Sequence, residues 1–263
     1  MIALIDTDSL LYTCAFALED KIVWNELEAL AGLEEPDEPI YYYDTEAAKL
    51  TIDNMITNIM FAVEATDCML CVGGEGNFRN DNPLGYKQHR KALRVPELVS
   101  ILKDYVVTKY NATVCDGMEA DDVVTYYKNK YPDRYTLCAI DKDVLYQTPG
   151  THYNYKKDIY INVKSGQAVK YKYYQCLVGD TTDGYTGCKG IGDVKARKIL
   201  DDIKPSGKRK QYELQLWQAV VDTYIKQGMT EQDAIYTMQL CDMHQFNGKE
   251  IVLWEPSSLL VWG

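Results

Sequence analysis

Histidine is scarce in this chain, whose 263 residues include only His89, His152 and His244, far apart in the sequence. None lies within the acidic motifs described below, so a histidine base or nucleophile is not expected. The sequence also lacks an apolar run long enough to span a bilayer and a basic N-terminal leader, which argues against a membrane or secreted protein. Its eight cysteines lack the spacing of a disulfide scaffold, which favours a reducing, cytoplasmic setting.

Positive charge is in the minority, since 28 lysines and arginines face 39 aspartates and glutamates, for a net charge of −11. Nucleic-acid-binding proteins usually present a basic surface, so the total alone argues against such a partner. The basic residues are nevertheless grouped in three runs, KSGQAVKYK (164–172), KGIGDVKARK (189–198) and KPSGKRK (204–210). Each run alone is consistent with a solvated surface, so net charge does not decide the partner.

Strand-like and helix-like segments alternate through the first half of the chain. Strands are predicted at 2–5, 69–72, 113–115 and 136–140, and helices at 45–65, 96–110 and 119–130. The polar segment 18–43, with Pro36 and Pro39, is predicted to be an insertion or hairpin. This alternation predicts an α/β fold with a parallel sheet flanked by helices. After residue 175 the chain is predicted to be helical, with a possible final strand at 250–254.

Acidic residues follow the predicted strands or begin the predicted helices, in four groups: Asp6 and Asp8; Glu119, Asp121 and Asp122; Asp141 and Asp143; Asp180 and Asp183. Each group alone is equally well explained by a turn or by the helix dipole. Because ligands of parallel sheets gather beyond the carboxyl ends of the strands, we expect the four groups to converge. Asp141 and Asp143 would share a face if their strand continued.

Converging carboxylates favour metal chemistry, because they cannot all ionise at close range without cations. Hard oxygen ligands select Mg²⁺ or Mn²⁺ over zinc. Two such ions would activate a water and stabilise the leaving oxygen of a phosphodiester. The residues therefore favour metal-assisted phosphodiester hydrolysis.

The motif order resembles the 5′-nuclease family, which includes flap endonucleases and phage 5′-to-3′ exonucleases. The shared motifs are D-x-D, YK-x-x-R-K, E-A-D-D-V, D-K-D and GD-x-x-DG followed by G-x-x-GIG-x-x-x-A. The stretches IDTDSLLY, GDTTDGYTG and GMTEQDAIYTMQLCDMHQF most resemble the short phage exonuclease branch. The resemblance extends over nearly the whole chain.

This resemblance implies a PIN-like catalytic core over residues 1–175, with an arch segment near 78–100, and a helix–three-turn–helix DNA-binding region over 176–263. It implies that Lys87 and Arg90 act on the scissile phosphate. It implies two Mg²⁺ ions, replaceable by Mn²⁺, and the ligands Asp6, Glu119, Asp121, Asp122, Asp141, Asp143, Asp180 and Asp183.

The glycine-rich loop after Asp183 is suited to binding phosphates. Its glycines permit close backbone approach, and the N–H groups that open the next helix attract anions. Such a loop holds a nucleic-acid backbone without reading bases. The family resemblance implies a K⁺ ion here, and DNA contacts by Arg79, Lys189, Gly190, Gly192 and Lys195.

One position departs from the family pattern, because Gly74 replaces an aspartate expected after the second strand. Either Glu75 substitutes for it or the first metal has fewer ligands.

The implied function is a 5′-to-3′ exonuclease and flap endonuclease acting on DNA with a 5′ end, flap or nick, and on RNA–DNA primers, with replication proteins as partners. The alternatives are a PIN-type ribonuclease and a non-catalytic nucleic-acid-binding protein with a degenerate site.

Overall fold

The computed structural model describes residues 1–22, 39–205 and 208–259. In chain order the strands are β1 (Ile2–Asp6), β2 (Glu19–Lys21), β3 (Tyr41–Tyr43), β4 (Asp67–Gly73), β5 (Thr113–Cys115), β6 (Tyr135–Cys138), β7 (Gly150–Asn154), β8 (Ile159–Val163), β9 (Gly179–Asp180) and β10 (Tyr185–Thr186). The helices are α1 (Asp8–Leu18), α2 (Thr45–Ala62), α3 (Glu97–Tyr110), α4 (Ala120–Lys130), α5 (Lys142–Gln147), α6 (Ser165–Val178), α7 (Asp193–Asp201), α8 (Arg209–Lys226) and α9 (Glu231–Cys241).

A six-stranded sheet in the order β5-β4-β1-β6-β7-β8 forms the centre of the N-terminal part. Its neighbours are parallel except for β7 and β8, which form an antiparallel pair. Asp6 at the end of β1 is in register with Cys71 of β4. The carboxyl ends of β4, β1 and β6 therefore lie side by side, at the edge where such sheets bind ligands.

The two faces of the sheet are covered by different helices. Along β1, Ala3 and Ile5 pack with α1, α2 and α3, whereas Leu4 packs with α4 on the other face. This alternation follows from the two-residue period of a strand. Because β1 is buried on both faces, its sequence is a continuous apolar run, as expected for a parallel sheet.

Most of the predicted elements are confirmed, and the Asp44 side chain caps the N-terminus of α2. Asp141 and Asp143 were expected to share a face only if their strand continued, and it does not: β6 ends at Cys138, and Asp141 caps the short helix α5. The β7–β8 hairpin was not predicted. The possible strand at 250–254 is reduced to one bridge between Phe246 and Ile251. The ends of the predicted insertion pair as β2 and β3, and its residues 23–38 lie outside the described residues.

The C-terminal helices have a core of their own, built around α6. Tyr173, Leu216, Tyr224 and Met238 are almost fully buried in this core. The predicted domain boundary at 175/176 falls inside α6, so one helix belongs to both predicted regions. In the described parts of the chain, no helix is long and apolar enough to cross a membrane.

A short ribbon, β9 paired with β10, follows α6. It requires glycine at position 179, where two backbone segments lie close together. Gly179 has φ +76°, and a Cβ there would lie 2.2 Å from the backbone N of Gly187. The ribbon carries Asp180, and its turn carries Asp183. The fold of this ribbon thus decides where the last two predicted acids lie.

We expect Gly179→Ala to lower the free energy of unfolding by about 3 kcal/mol or more, because it adds a backbone clash to a left-handed conformation. Gly117→Ala is the matched control, since Gly117 has φ +74° but no atom within 4 Å of the position that a Cβ would take. The control should cost about 1–2 kcal/mol. Equal losses in urea denaturation would contradict the close approach.

Candidate metal and nucleic-acid site

Three carboxylates lie at the carboxyl ends of the central strands. Asp6 ends β1 and accepts a hydrogen bond from Ser9 Oγ at 3.3 Å. Asp8 begins α1 and turns its carboxylate toward β4, where both oxygens accept from the backbone N–H of Gly73 at 3.1 and 2.9 Å. Asp141 follows β6 and accepts from the backbone N–H of Asp143 at 2.6 Å. Strand order brings Asp6 and Asp141 to one edge, and the packing of α1 against β4 adds Asp8.

The N-terminus of α4 brings a second pair of acids to the same edge. Glu119 is the N-cap residue, and its carboxylate accepts from Lys87 Nζ at 2.6 Å and from the Tyr86 hydroxyl at 2.7 Å. Asp121 follows in the first turn of α4, close enough to Asp6 and Asp141 for their charges, after burial, to raise its pKa.

The β9–β10 ribbon contributes the last acids. Asp180 is buried, accepts from the backbone N–H of Thr182 at 2.7 Å and pairs with Lys142 Nζ at 2.9 Å. Asp183 lies 3.1 Å from Arg90 and 3.6 Å from Lys87 Nζ. We call the acids that meet here the carboxylate edge: Asp6, Asp8, Glu119, Asp121, Asp141, Asp143, Asp180 and Asp183.

The carboxylate edge concentrates negative charge. Burial, followed by repulsion from Asp8 and Asp141, raises the pKa of Asp6 to about 8. Burial and repulsion from Asp141 raise the pKa of Asp143 to about 7. For Glu119, burial favours a higher pKa, but Lys87 and Arg79 outweigh it and hold the pKa below its usual value. The basic side chains nearby therefore stabilise the ionised form of Glu119. They do not offset the burial and repulsion that raise the pKa values of Asp6 and Asp143.

The donor set fits a hard divalent cation, because it consists of crowded carboxylate oxygens with undercompensated charge. Among the described residues, no three acid, histidine or cysteine side chains stand close enough together to enclose an ion as they are. Glu119, Asp180 and Asp183 are held instead by Lys87, Lys142 and Arg90. Ligation would therefore require these cationic side chains to move off the carboxylates.

Arg79 and Asp122 do not have the predicted roles. Arg79 is 1% exposed and Asp122 is fully buried, and they form a two-pronged salt bridge at 2.7 and 2.8 Å. Arg79 also donates to the backbone oxygens of Leu240 and Asp242. Arg79 is thus unavailable to DNA, and both oxygens of Asp122 are committed to it rather than to a metal. The pair joins α4 to the end of α9.

Lys87 and Arg90 lie at the carboxylate edge, and a third residue there, Tyr86, was not predicted. The hydroxyl of Tyr86 lies 2.7 Å from Glu119 and 3.2 Å from Asp183, although its side chain is almost fully buried. It was part of the YK-x-x-R-K motif, but nothing in the sequence indicated its contacts with acids from two distant segments. Lys87 adopts φ +50°, and its backbone N–H donates to the backbone carbonyl oxygen of Asp183 at 2.7 Å.

The region around Gly74 shows where the absent aspartate would have stood. A Cβ at Gly74 would lie 2.0 Å from Asp116 Oδ1 and 2.8 Å from the Asp116 backbone N, so no side chain fits there. Glu75 is exposed, and its backbone N–H donates to Asp116. A Cβ at Gly73 would lie 2.9 Å from Asp8 Oδ2. The carboxylate at the end of β4 is therefore supplied by Asp8, which the predicted ligand set omitted.

The glycine-rich loop is exposed and opens α7. Lys189, Gly190, Gly192 and Lys195 are all exposed, and Gly192 is the N-cap residue. Gly190 has φ +72°, and its carbonyl accepts from Lys195 Nζ at 2.8 Å. The loop thus presents the N-terminus of α7 and two lysines to solvent.

Sequence relatives of the chain include nucleases, although no protein-family model matches it. The exonuclease of Escherichia phage T7 is 33% identical over an alignment of 109 residues, and the match covers 32% of this chain and 36% of the relative. The 5′-3′ exonuclease of Mycoplasma genitalium is 32% identical over an alignment of 145 residues, and the match covers 47% of this chain and 49% of the relative. The chain spans about half or less of the length of the curated relatives it matches.

Among solved structures, a complex of the bacteriophage T5 flap endonuclease with DNA and metal ions matches with a TM-score of 0.61. The match covers 92% of this chain and 89% of that chain, at 14% identity. At this identity the likeness shows the fold, an α/β structure with a mostly parallel sheet flanked by helices. With the sequence relatives, it confirms the resemblance to the 5′-nuclease family.

We expect Arg79→Met to lower the free energy of unfolding by about 3–5 kcal/mol, because it leaves the buried Asp122 charge unpaired. The double variant Arg79→Met/Asp122→Leu should recover part of this loss, since no buried charge remains. Arg134→Met, at an exposed arginine, should change stability by about 0.5 kcal/mol or less. Denaturation of the four proteins tests this, and a double variant no more stable than Arg79→Met would contradict it.

Proposed function

We propose that this chain is a divalent-metal-dependent nuclease that hydrolyses DNA from a 5′ end, as a 5′-to-3′ exonuclease and a flap endonuclease, and that it also accepts RNA primers in RNA–DNA duplexes. The observation that carries the proposal is the carboxylate edge, with Lys87 and Arg90 at its rim. Acids from four separated segments meet there. If each acid served only in a turn or as a helix cap, they would not need to meet. The named activities of the sequence relatives and the DNA and metal ions of the T5 complex support it.

The carboxylate edge would hold Mg²⁺, with Mn²⁺ as a substitute. Bound there, two ions would neutralise the phosphate, activate a water and stabilise the leaving oxygen. Among these acids, Asp143 is buried and accepts hydrogen bonds from Gln175 Nε2 and, at 3.4 Å, from the Tyr171 hydroxyl. We assign to Gln175 and Tyr171 the task of orienting this carboxylate.

Lys87 and Arg90 have the chemistry to bind the scissile phosphate. Each is a cation held over the edge by acids, with Lys87 Nζ 2.6 Å from Glu119 and Arg90 donating to Asp183 and to the Thr182 oxygen. If a metal cation bound Glu119 and Asp183, Lys87 and Arg90 would be free to contact the phosphate. They would stabilise the negative charge that develops on it. Water then bonds to phosphorus, the P–O3′ bond breaks, and the 3′ oxygen takes up a proton, leaving a 5′-phosphate and a 3′-hydroxyl.

The glycine-rich loop would hold the duplex beside this site. Phosphates fit the exposed N-terminus of α7, where Lys189 and Lys195 add positive charge. We also place the K⁺ ion implied by the family resemblance at this loop. Backbone contacts of this kind carry no base specificity, so the structure of the DNA end rather than its sequence should select the substrate.

Asp141→Asn and Asp183→Asn should each reduce Mg²⁺-dependent cleavage of a 5′-flap by roughly 100-fold or more while DNA binding stays measurable. The neutral amide keeps the shape but removes a ligand charge. Asp104→Asn, at an exposed acid on α3, should cleave like the wild type. Wild-type rates in either site variant would contradict the assignment.

The same assay should include nicked, blunt and RNA-primed duplexes and a single-stranded RNA. Cleavage of the RNA alone would favour a PIN-type ribonuclease. No cleavage of any substrate by the wild type would favour a non-catalytic binding protein.

Asp8→Asn should weaken Mn²⁺ binding and slow cleavage, whereas Glu75→Ala should change neither. Asp8 supplies the carboxylate at the end of β4, while Glu75 is exposed. Calorimetric titration with Mn²⁺ measures this directly and does not depend on turnover. A loss of affinity in Glu75→Ala with none in Asp8→Asn would reverse the assignment.

A further inference from the structure

A cavity of about 1000 Å³ opens beside the carboxylate edge, and neither the metal chemistry nor the glycine-rich loop uses it. It lies between α6, the end of β8, the C-terminal half of α7 and the start of α8. Lys142, Tyr171, Gln175 and Gly179 line it and also touch or adjoin the carboxylate edge. We call it the tyrosine pocket, and a strand leaving the edge on this side would enter it.

One face of α6 forms a wall of the tyrosine pocket. Gln167, Lys170, Tyr171, Tyr174 and Val178 line it at spacings of three and four residues, as one helical face requires. The opposite face of α6, which includes Tyr173, Cys176 and Leu177, is buried in the C-terminal core. Tyr171 takes no part in that core, whereas Tyr174 packs against its edge and also lines the pocket.

Three tyrosines form a continuous aromatic surface in this pocket. The rings of Tyr146 and Tyr171 lie 5.4 Å apart between centroids, at 30°. Those of Tyr171 and Tyr174 lie 5.7 Å apart, at 40°. Tyr146 is 40% exposed, so part of this surface is open to a ligand. Successive bases of a single strand stack on aromatic rings of this kind, whatever the identity of the bases.

The charge of the tyrosine pocket is opposite to that of the chain. Its lining includes one acid, Asp201, and five basic residues, Lys142, Lys164, Lys170, Arg197 and Lys204. Lys170 pairs with Asp201 at 3.1 Å, Lys142 with Asp180 at 2.9 Å and Arg197 with Asp193 at 2.7 Å. Arg197 also lies 5.0 Å over the ring of Tyr174, and Lys164 and Lys204 add further positive charge. In a protein of net charge −11, this local excess of positive charge selects an anionic ligand.

We propose that the tyrosine pocket binds a single-stranded stretch of DNA, with bases stacked on Tyr146 and Tyr174 and phosphates beside the lysines. The inference rests on the proposed nuclease function, because it is the carboxylate edge next to the pocket that would receive the same strand. Stacking surface and cations together match single-stranded nucleic acid, whereas a duplex keeps its base faces covered. The pocket would thereby favour substrates with an unpaired segment next to the cleaved bond.

The test compares Tyr146→Ala/Tyr174→Ala with the wild type by fluorescence anisotropy, in EDTA, using labelled oligo(dT) and a blunt duplex of equal length. We expect the affinity for oligo(dT) to fall roughly tenfold or more, and that for the blunt duplex to change much less. Tyr146→Phe/Tyr174→Phe keeps the rings and loses the hydrogen bond from Tyr174 to Asp193, so it should bind like the wild type. Tyr42→Ala removes a tyrosine that is 65% exposed on β3 and should also bind normally.

Three results would overturn the proposal: no oligo(dT) binding by the wild type, unchanged oligo(dT) affinity in a folded alanine variant, or an equal loss for the blunt duplex. Binding of labelled poly-glutamate that falls in the alanine variant while oligo(dT) binding holds would assign the pocket to an acidic protein segment instead. Cleavage of flap DNA by the wild type in Mg²⁺ is scored separately. If cleavage occurs and the affinities do not change, only the pocket inference fails; if the wild type cleaves nothing, the proposed function fails.

Discussion

Repulsion among carboxylates at the ends of β1, β4 and β6 is the constraint that the basic groups around them offset. It contributes, after burial, to the raised pKa of Asp6, and three cationic side chains from outside the sheet oppose it by pairing with the acids. Lys87 is held in a left-handed conformation by its backbone bond to Asp183, which fixes its Nζ near Glu119. The positions of these basic groups follow from where the acids lie.

The need to offset carboxylate charge also explains why Arg79 and Arg90, which lie in one segment, differ in burial. Arg90 remains partly exposed at the rim, where a substrate phosphate can reach it. Arg79 is buried against Asp122, and its bonds to the carbonyls of Leu240 and Asp242 tie the C-terminal helices to α4. The buried pair fixes the helix whose N-terminus carries Glu119. A structural salt bridge thus lies directly behind the candidate catalytic groups.

The fold and the convergence of acids were predictable because they depend on local patterns. Apolar runs that lead into acids mark β1 and β6, and strand order brings Asp6 and Asp141 together without further information. The role of Asp122 was not predictable, because a motif of consecutive acids does not show which one faces a buried arginine. Nor was that of Asp8, since only the packing of α1 against β4 places its carboxylate beside Gly73. The tyrosine pocket depends on how α6 faces α7, which the composition of either helix does not reveal.

The central claim is that the carboxylate edge binds divalent cations. Diffraction from crystals soaked in Mn²⁺, with data collected for its anomalous signal, tests it most directly. We expect two peaks at this edge, within about 2.0–2.2 Å of carboxylate oxygens, with Lys87 moved away from Glu119. Anomalous density confined to other parts of the surface, with Lys87 still paired to Glu119, would contradict it.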